Sequence, residues 1–369
     1  MPSTDGVVTS MLNFKKELER KGNTVYIFAS SNSSLKNIRI KNVIIDKGMK
    51  FKKYPDYNIS ILPINSLIRF NLLNIDIIHL HTPFFMGFTG LLTAKFNKLP
   101  SISTFHTFFT DKTVMREYLW DFSRRMSLDK FSWPYARFFY NKCSQTIAPT
   151  KIVKDVLEKE QIQNVTVIPN GINLKRFNPH VKGKEIREKL INGKTEKLVL
   201  YVGRLSKEKK LETLLKAARY LDDDIKIVIG GKGPAEDYYK ELAIKYKLTR
   251  KVSFVGYIKD SLLPKYYAAS DLFCIPSTFE TQGMVSLEAM AVGKPVVGAD
   301  AFALKEIIQN GVNGEKFKPN DPKDCANKIS KVINNIDAYK RAYKTAESYE
   351  ISRVTDNLLN VYRNNINSG

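Results

Sequence analysis

The chain has 369 residues, enough for two domains of ordinary size, and its 43% hydrophobic and 26% charged residues exclude a disordered or fibrous protein. Its 59 Lys and Arg against 37 Asp and Glu give a net charge of +22, a field that attracts polyphosphate, anionic lipid or nucleic acid, or that reflects a lysine-rich proteome. Cys143, Cys274 and Cys325 are far apart and form no C-x-x-C pair, which excludes a disulfide framework and a structural zinc site and fits a reduced intracellular protein.

Met1 to Val7 has neither a basic start nor an apolar core, so no signal peptide is read there. Asp5-Gly6-Val7-Val8 reads as a loop. β-Branched runs follow at Thr24 to Ser30, Lys41 to Asp46, Asp76 to Leu80, Ser101 to Phe105, Gln145 to Ala148 and Val165 to Ile168. Helix-period segments separate them, the pattern of a parallel sheet with crossover helices. Ile77 to Ala94 carries no Asp, Glu, Lys or Arg and approaches the length of a membrane span. His79, His81, Pro83, Gly87 and Gly90 divide it, and the segment reads as strand, loop and helix. His79 and His81 alternate on one strand face and could begin a metal site, but no third ligand is evident nearby. They are read as strand-end residues, with His81 lining a cleft.

Lys112 to Lys142 interleaves cations, among them Arg124, Arg125 and Arg137, with aromatics that include Trp120 and Trp133, the only two tryptophans of the chain. Such a stretch suits the headgroup region of an anionic leaflet, or equally the solvated face of a domain-packing helix. Asn173 to Lys194 is a charged connector. The second half starts again with strands at Lys197 to Val202, Ile225 to Ile229, Val252 to Val255, Leu272 to Ile275 and Pro295 to Gly298, and Ile336 to Asn365 reads as helices. Asp222-Asp223-Asp224 contains a D-x-D pattern, but it precedes a strand in a turn, where Asp is routine.

The segment Phe279-Glu280-Thr281-Gln282-Gly283-Met284-Val285-Ser286-Leu287-Glu288 places two carboxylates around a Gly at a helix start. Backbone N–H donors there can hold an anion, while the carboxylates accept from sugar hydroxyls. Upstream, Gly203-Arg204-Leu205-Ser206-Lys207-Glu208-Lys209 follows a strand, and Gly230-Gly231-Lys232-Gly233-Pro234, Phe254-Val255-Gly256-Tyr257 and Tyr267-Ala268-Ala269-Ser270-Asp271 lie between.

These words, in this order, resemble the retaining glycosyltransferases of family four, and the resemblance covers nearly the whole chain. It implies an α/β protein of the GT-B fold, with two doubly wound Rossmann-like domains facing a cleft. Residues 1–171 would form the acceptor-side domain, 172–345 the nucleotide-sugar domain, and 346–369 a helix returning to the first. The family begins with a strand leading into a Gly-rich loop, whereas the Gly6 loop lies almost at residue 1; the expectation is that the true start lies upstream, the alternative that the sheet is rebuilt.

The resemblance also implies roles. Arg204 and Lys209 would stabilise the departing diphosphate, and Glu280 would hold the donor sugar. Glu288 would take the ribose, the N–H groups of Gln282, Gly283 and Met284 the distal phosphate, and Gly256 and Tyr257 the base. Gly203 would end the strand before the diphosphate loop, and Gly6 would let the N-terminal loop approach the diphosphate. Thr104-Phe105-His106-Thr107 resembles the family's strand-end His beside the reacting sugar. Glu-Thr-Gln-Gly at residues 280–283 resembles diacylglycerol glucosyltransferases. The expected activity is therefore metal-independent retaining transfer of a hexose, glucose, from a UDP-sugar to a lipid hydroxyl such as that of diacylglycerol. Its setting would be cytoplasmic, at an anionic membrane surface, with Trp120, Arg124, Arg125, Trp133 and Arg137 as contacts and with neither cofactor nor nucleic acid as partner. A soluble glycan or polyol phosphate acceptor, or a non-catalytic nucleotide-sugar-binding protein, is the alternative.

Overall fold

Runs that are apolar on both faces become parallel strands here, and the amphipathic segments between them become crossover helices. The computed structural model describes residues 6–31, 41–51, 54–59, 63–110, 129–191 and 196–368. The chain divides into one unit of residues 1–171 with 351–369, and a second of residues 172–350.

The first unit opens with helix α1 (Gly6–Arg20), so the segment read as a loop is helical from Gly6 onward. The spacing of Phe14 and Leu18 puts both on one face. They are buried with Val354, Leu358 and Leu359 of the C-terminal helix (Ile351–Asn367) against Ile102, Ile147 and Ile168 of the sheet. At the rim, Lys21 pairs with Asp356 at 2.7 Å and Arg20 donates to the Ser352 hydroxyl at 3.1 Å.

Strand β1 (Ile27–Ser31) pairs in parallel with β2 (Val43–Lys47). A short antiparallel pair follows, β3 (Met49–Phe51) with β4 (Tyr54–Ile59). Strands β5 (Ile78–Leu80), β6 (Ser101–Thr104), β7 (Gln145–Ala148) and β8 (Val165–Val167) form a parallel sheet in that order, separate from β1 and β2. The helices are α2 (Ile64–Phe70), α3 (Phe85–Phe96), α4 (Asp129–Tyr140) and α5 (Lys151–Lys159). Ile77 to Ala94 is thus strand, loop and helix, and among the described residues no helix is long and apolar enough to cross a membrane.

In the second unit, six parallel strands lie in the order β11-β10-β9-β12-β13-β14. They are β9 (Lys197–Val202), β10 (Ile225–Gly230), β11 (Val252–Gly256), β12 (Leu272–Ile275), β13 (Val296–Ala299) and β14 (Gly314–Phe317). Successive residues of β9 enter opposite cores, Val199 and Tyr201 one and Leu198 and Leu200 the other. Such burial of both faces is what helices on each side of a parallel sheet produce. The strand order reverses between β9 and β12, and a ligand of a doubly wound sheet binds at the carboxyl ends of the strands at that point.

Asp271, just before β12, fastens this reversal. Its carboxylate accepts from the Leu198 N–H at 2.7 Å and from Arg187 at 2.9 Å, while Arg187 also donates to the Ala269 carbonyl at 2.7 Å. Asp271→Ala should therefore lower the unfolding free energy by about 2 kcal/mol, since it leaves the Leu198 N–H without its acceptor and the Arg187 guanidinium without its anionic partner. Urea denaturation checks this, and an unchanged midpoint would contradict it.

Candidate active site

Three loops at the carboxyl ends of β9, β10 and β11 are joined through their main chains. The Gly203 N–H donates to the Gly230 carbonyl at 3.1 Å, the Leu205 N–H to that of Lys232 at 3.0 Å, and the Gly231 N–H to that of Gly256 at 2.7 Å. The approach is close enough to require glycine. A Cβ at Gly231, whose φ is +137°, would lie 1.8 Å from the Gly203 oxygen, and one at Gly233 would lie 2.3 Å from that of Leu205. Two tyrosines brace the first loop: Tyr201 donates to the Arg204 carbonyl at 3.2 Å and Tyr239 to the Ser206 carbonyl at 3.0 Å. Arg204 follows directly, and Lys209 ends a 3-10 turn (Lys207–Lys209) before helix α6 (Leu211–Ala217).

The loop after the neighbouring strand β12 carries Glu280. Its Oε1 accepts from the Lys209 ammonium at 2.8 Å, so residues from the two strands that flank the reversal meet directly. Gly283, with φ +73°, turns the chain into helix α7 (Met284–Ala291), and Gln282 beside it is buried. Two cations and the N–H groups at the start of α7 can hold a diphosphate, and Glu280 can accept from sugar hydroxyls. Within the same unit, Glu288 is buried one side of the helix further on and accepts from the Tyr267 hydroxyl at 2.9 Å. Burial pushes its carboxyl up to about 7, with the Tyr267 hydrogen bond and the Arg176 charge acting in the opposite direction. Gly256, at φ +67°, has open space where a Cβ would lie, and Tyr257 is 47% exposed beside it.

The remaining sequence-selected residues belong to the first unit. His106 stands just past the end of β6, and its Nε2 lies 2.8 Å from the His81 Nδ1. A third imidazole is therefore close to those of His79 on β5 and His81 just past its end, because the parallel pairing of β5 with β6 puts their ends side by side. Among the described residues no His, Cys, Asp and Glu cluster is arranged to hold a metal ion. Gly6 is exposed at the first turn of α1, and a Cβ there would meet nothing. Trp133 is half-buried on α4, where Arg137 donates to Gln161 at 3.0 Å. Trp120, Arg124 and Arg125 lie outside the described residues. Asp222 to Asp224 precede β10, at the opposite end of that strand from Gly230, and Asp223 pairs with Lys251 at 3.1 Å.

Sequence reasoning passed over Tyr201, Tyr239 and Tyr267 as site residues. Their signal was present in part, since Tyr267 sits inside a motif word and Tyr201 in the strand that leads into another, but a buried hydroxyl shows its acceptor only after folding.

Two predictions follow from this geometry. Gly231→Ala should push the Gly203 carbonyl aside and with it the Arg204 loop, raising the KM for donor roughly tenfold or more, as the loss of a well-placed charge-assisted hydrogen bond would. Wild-type donor KM in that variant would contradict the close packing. For Glu288, the folded carboxyl titrates above the ordinary 4.5. Its contribution to stability is full below the unfolded value and is lost as pH rises toward about 7. Thermal unfolding of Glu288→Gln against wild type should therefore show the wild type losing ground across that window and no further above it. Parallel pH curves would refute the shift.

Residues 4–176 match the family model described as Glycosyltransferase Family 4, and residues 182–349 that described as Glycosyl transferases group 1. The chain is 31% identical over 326 residues to the alpha-monoglucosyldiacylglycerol synthase of Streptococcus pneumoniae, covering 86% of this chain and 73% of the relative. It is 28% identical over 335 residues to the enzyme of the same name from Acholeplasma laidlawii, covering 87% and 83%. A GDP-mannose-dependent alpha-mannosyltransferase of Corynebacterium glutamicum is 28% identical over 327 residues, covering 85% and 73%. Among solved structures, the sucrose-phosphate synthase of Thermosynechococcus elongatus superposes with a TM-score of 0.84 at 19% identity, covering 99% of this chain and 94% of that one. Anabaena HepE in complex with UDP and glucose gives 0.78 at 19%, covering 99% and 97%. On these similarities the chain belongs to glycosyltransferase family 4 and has the GT-B fold.

Proposed function

We propose that the protein is a retaining hexosyltransferase that moves glucose from UDP-glucose to the free hydroxyl of a membrane lipid such as diacylglycerol. The observation that carries this reading is the similarity, over most of both chains, to two enzymes named alpha-monoglucosyldiacylglycerol synthase. The contact between Lys209 and Glu280 supports it, because a cation for the leaving diphosphate and a carboxylate for the sugar stand side by side.

In this reaction, bond breaking at the anomeric carbon leaves negative charge on the diphosphate. Arg204, Lys209 and the N–H groups of Gln282, Gly283 and Met284 face that charge, and their fixed orientation is what lowers the barrier. Glu280 orients the sugar, Glu288 takes the ribose hydroxyls, and Gly256 and Tyr257 border the base. His106 stands at the acceptor hydroxyl. The cations do the work of a divalent metal, so the reaction needs none, and chelator leaves the rate unchanged.

The enzyme works on the inner face of the cell membrane as a peripheral protein. The net charge of +22 favours an anionic leaflet. Large apolar side chains are exposed in the first unit, including Ile64, Ile68 and Leu72 on and beside α2 and Phe85 and Phe96 on α3. A second reading, a mannosyl donor carried on GDP, is favoured by the relatives of that description.

Nucleotide release from UDP-, GDP- and ADP-hexoses, with and without anionic liposomes containing diacylglycerol, separates these readings. Release that depends on liposomes and yields an α-linked glycolipid by mass spectrometry is the expected result, with Glu280→Gln inactive but folded. Release indifferent to lipid would move the acceptor to soluble glycans or a polyol phosphate. Turnover retained in Glu280→Gln would remove the site, and silence toward every donor would favour a non-catalytic binder.

A further inference from the structure

The ends of β5 and β6 gather three of the four histidines of the chain. The His79 ring lies over that of His81 with centroids 4.2 Å apart, and the His81 and His106 rings are near-parallel, 23° apart, with centroids separated by 5.1 Å. Between the latter two, Nδ1 of His81 and Nε2 of His106 share a hydrogen bond of 2.8 Å. His79 is held at both nitrogens, by the Thr104 hydroxyl at Nε2 and by the Tyr362 hydroxyl of the C-terminal helix at Nδ1, each at 2.7 Å. These rings line one side of a small cavity, which Phe14, Thr104 and Asn170 also border.

Burial holds all three imidazoles well below their usual range, His106 down to about 3, and each neighbouring ring adds to the effect. Three neutral rings follow. A neutral imidazole carries a single N–H, so the bond between His81 Nδ1 and His106 Nε2 requires that one of these nitrogens bear the proton and the other not. The tautomer of His106 is thus tied to that of His81 and cannot change alone. His79 packs on His81 and is itself clamped by Tyr362, so the C-terminal helix helps to hold the His81 ring in place through packing.

We infer that His81, backed by Tyr362 through His79, is a positioning residue of the transfer reaction: it decides which ring nitrogen of His106 carries the proton, and hence whether His106 meets the acceptor hydroxyl as donor or as acceptor. This rests on the proposed place of His106 at the acceptor. A fully satisfied polar network of this kind fixes one arrangement, whereas apolar side chains in the same positions would pack without setting a tautomer.

The experiment uses the full chain labelled with ¹⁵N-histidine. His180, exposed and outside the cluster, supplies the reference signal. Long-range ¹H–¹⁵N spectra should show a single tautomer for His106 in the wild type and a mixture in His81→Leu. His81→Asn, whose amide can donate or accept near the same position, should restore one form. With UDP-glucose and diacylglycerol liposomes, His81→Leu should lose roughly tenfold in kcat with donor KM unchanged, as expected for one lost hydrogen bond to the reacting arrangement. His81→Asn should recover most of the rate, and Tyr362→Phe, which removes one hydroxyl and keeps the packing, should show a smaller kcat loss.

A His106 spectrum unaltered by His81→Leu overturns the inference whatever the substrate. So does an equal loss in the Leu and Asn variants, or a His81→Leu enzyme as fast as wild type when His106→Ala is slow. Wild-type transfer by His106→Ala would instead remove the proposed acceptor role of His106, and the inference with it.

Discussion

The candidate site of the second unit depends on main-chain contact between neighbouring strand-end loops. The carbonyls of Gly230, Lys232 and Gly256 accept from the N–H groups of Gly203, Leu205 and Gly231, and nothing larger than hydrogen fits at Gly231 or Gly233. Because backbone meets backbone, the loop that carries Arg204 has little freedom left. A diphosphate bound there, as proposed, would meet cations already placed, and less of the binding energy would go into ordering side chains. The doubly wound order of the sheet sets where this happens, since β9 and β12 are adjacent only at the reversal.

Electrostatics in the second unit follow from the same arrangement. Lys209 and Glu280 neutralise one another across the two strands, so a positive loop and a carboxylate share a small volume at little charging cost. Glu288 is different. It is buried beside Tyr267, and its carboxyl is held near the protonated form by desolvation rather than by a charged partner. A ribose whose hydroxyls can donate to it would replace solvent that the fold has removed.

The first unit has the opposite character. Its site residues are neutral rings and hydroxyls, ordered by hydrogen bonds from β5, β6 and the C-terminal helix rather than by ion pairs. The C-terminal helix also supplies much of the apolar wall against which α1 and the sheet pack. The same segment therefore stabilises the unit and touches its histidine cluster.

The amino-acid sequence by itself determined the two halves of alternating strand and helix and many of the strands. Gln145 to Ala148, Lys197 to Val202 and Leu272 to Ile275 occur as read, because a strand buried on both faces writes an apolar run that its turn residues delimit. It also marked Lys209 and Glu280, whose contact the fold then made. The pair β3 and β4, with Pro55 near the start of the second strand, and the charged edge strand β14 were not legible, since what makes them strands is a partner. Gly6 read as a loop residue because Gly is a poor helix former, yet the packing of Phe14 and Leu18 on the C-terminal helix favours a helix from the start. Only tertiary structure could decide that Tyr267 meets Glu288, or that His81 meets His106, 25 residues away. Periodicity reports which face of an element is buried, but the partner of a buried polar group depends on which strands become neighbours and on their register.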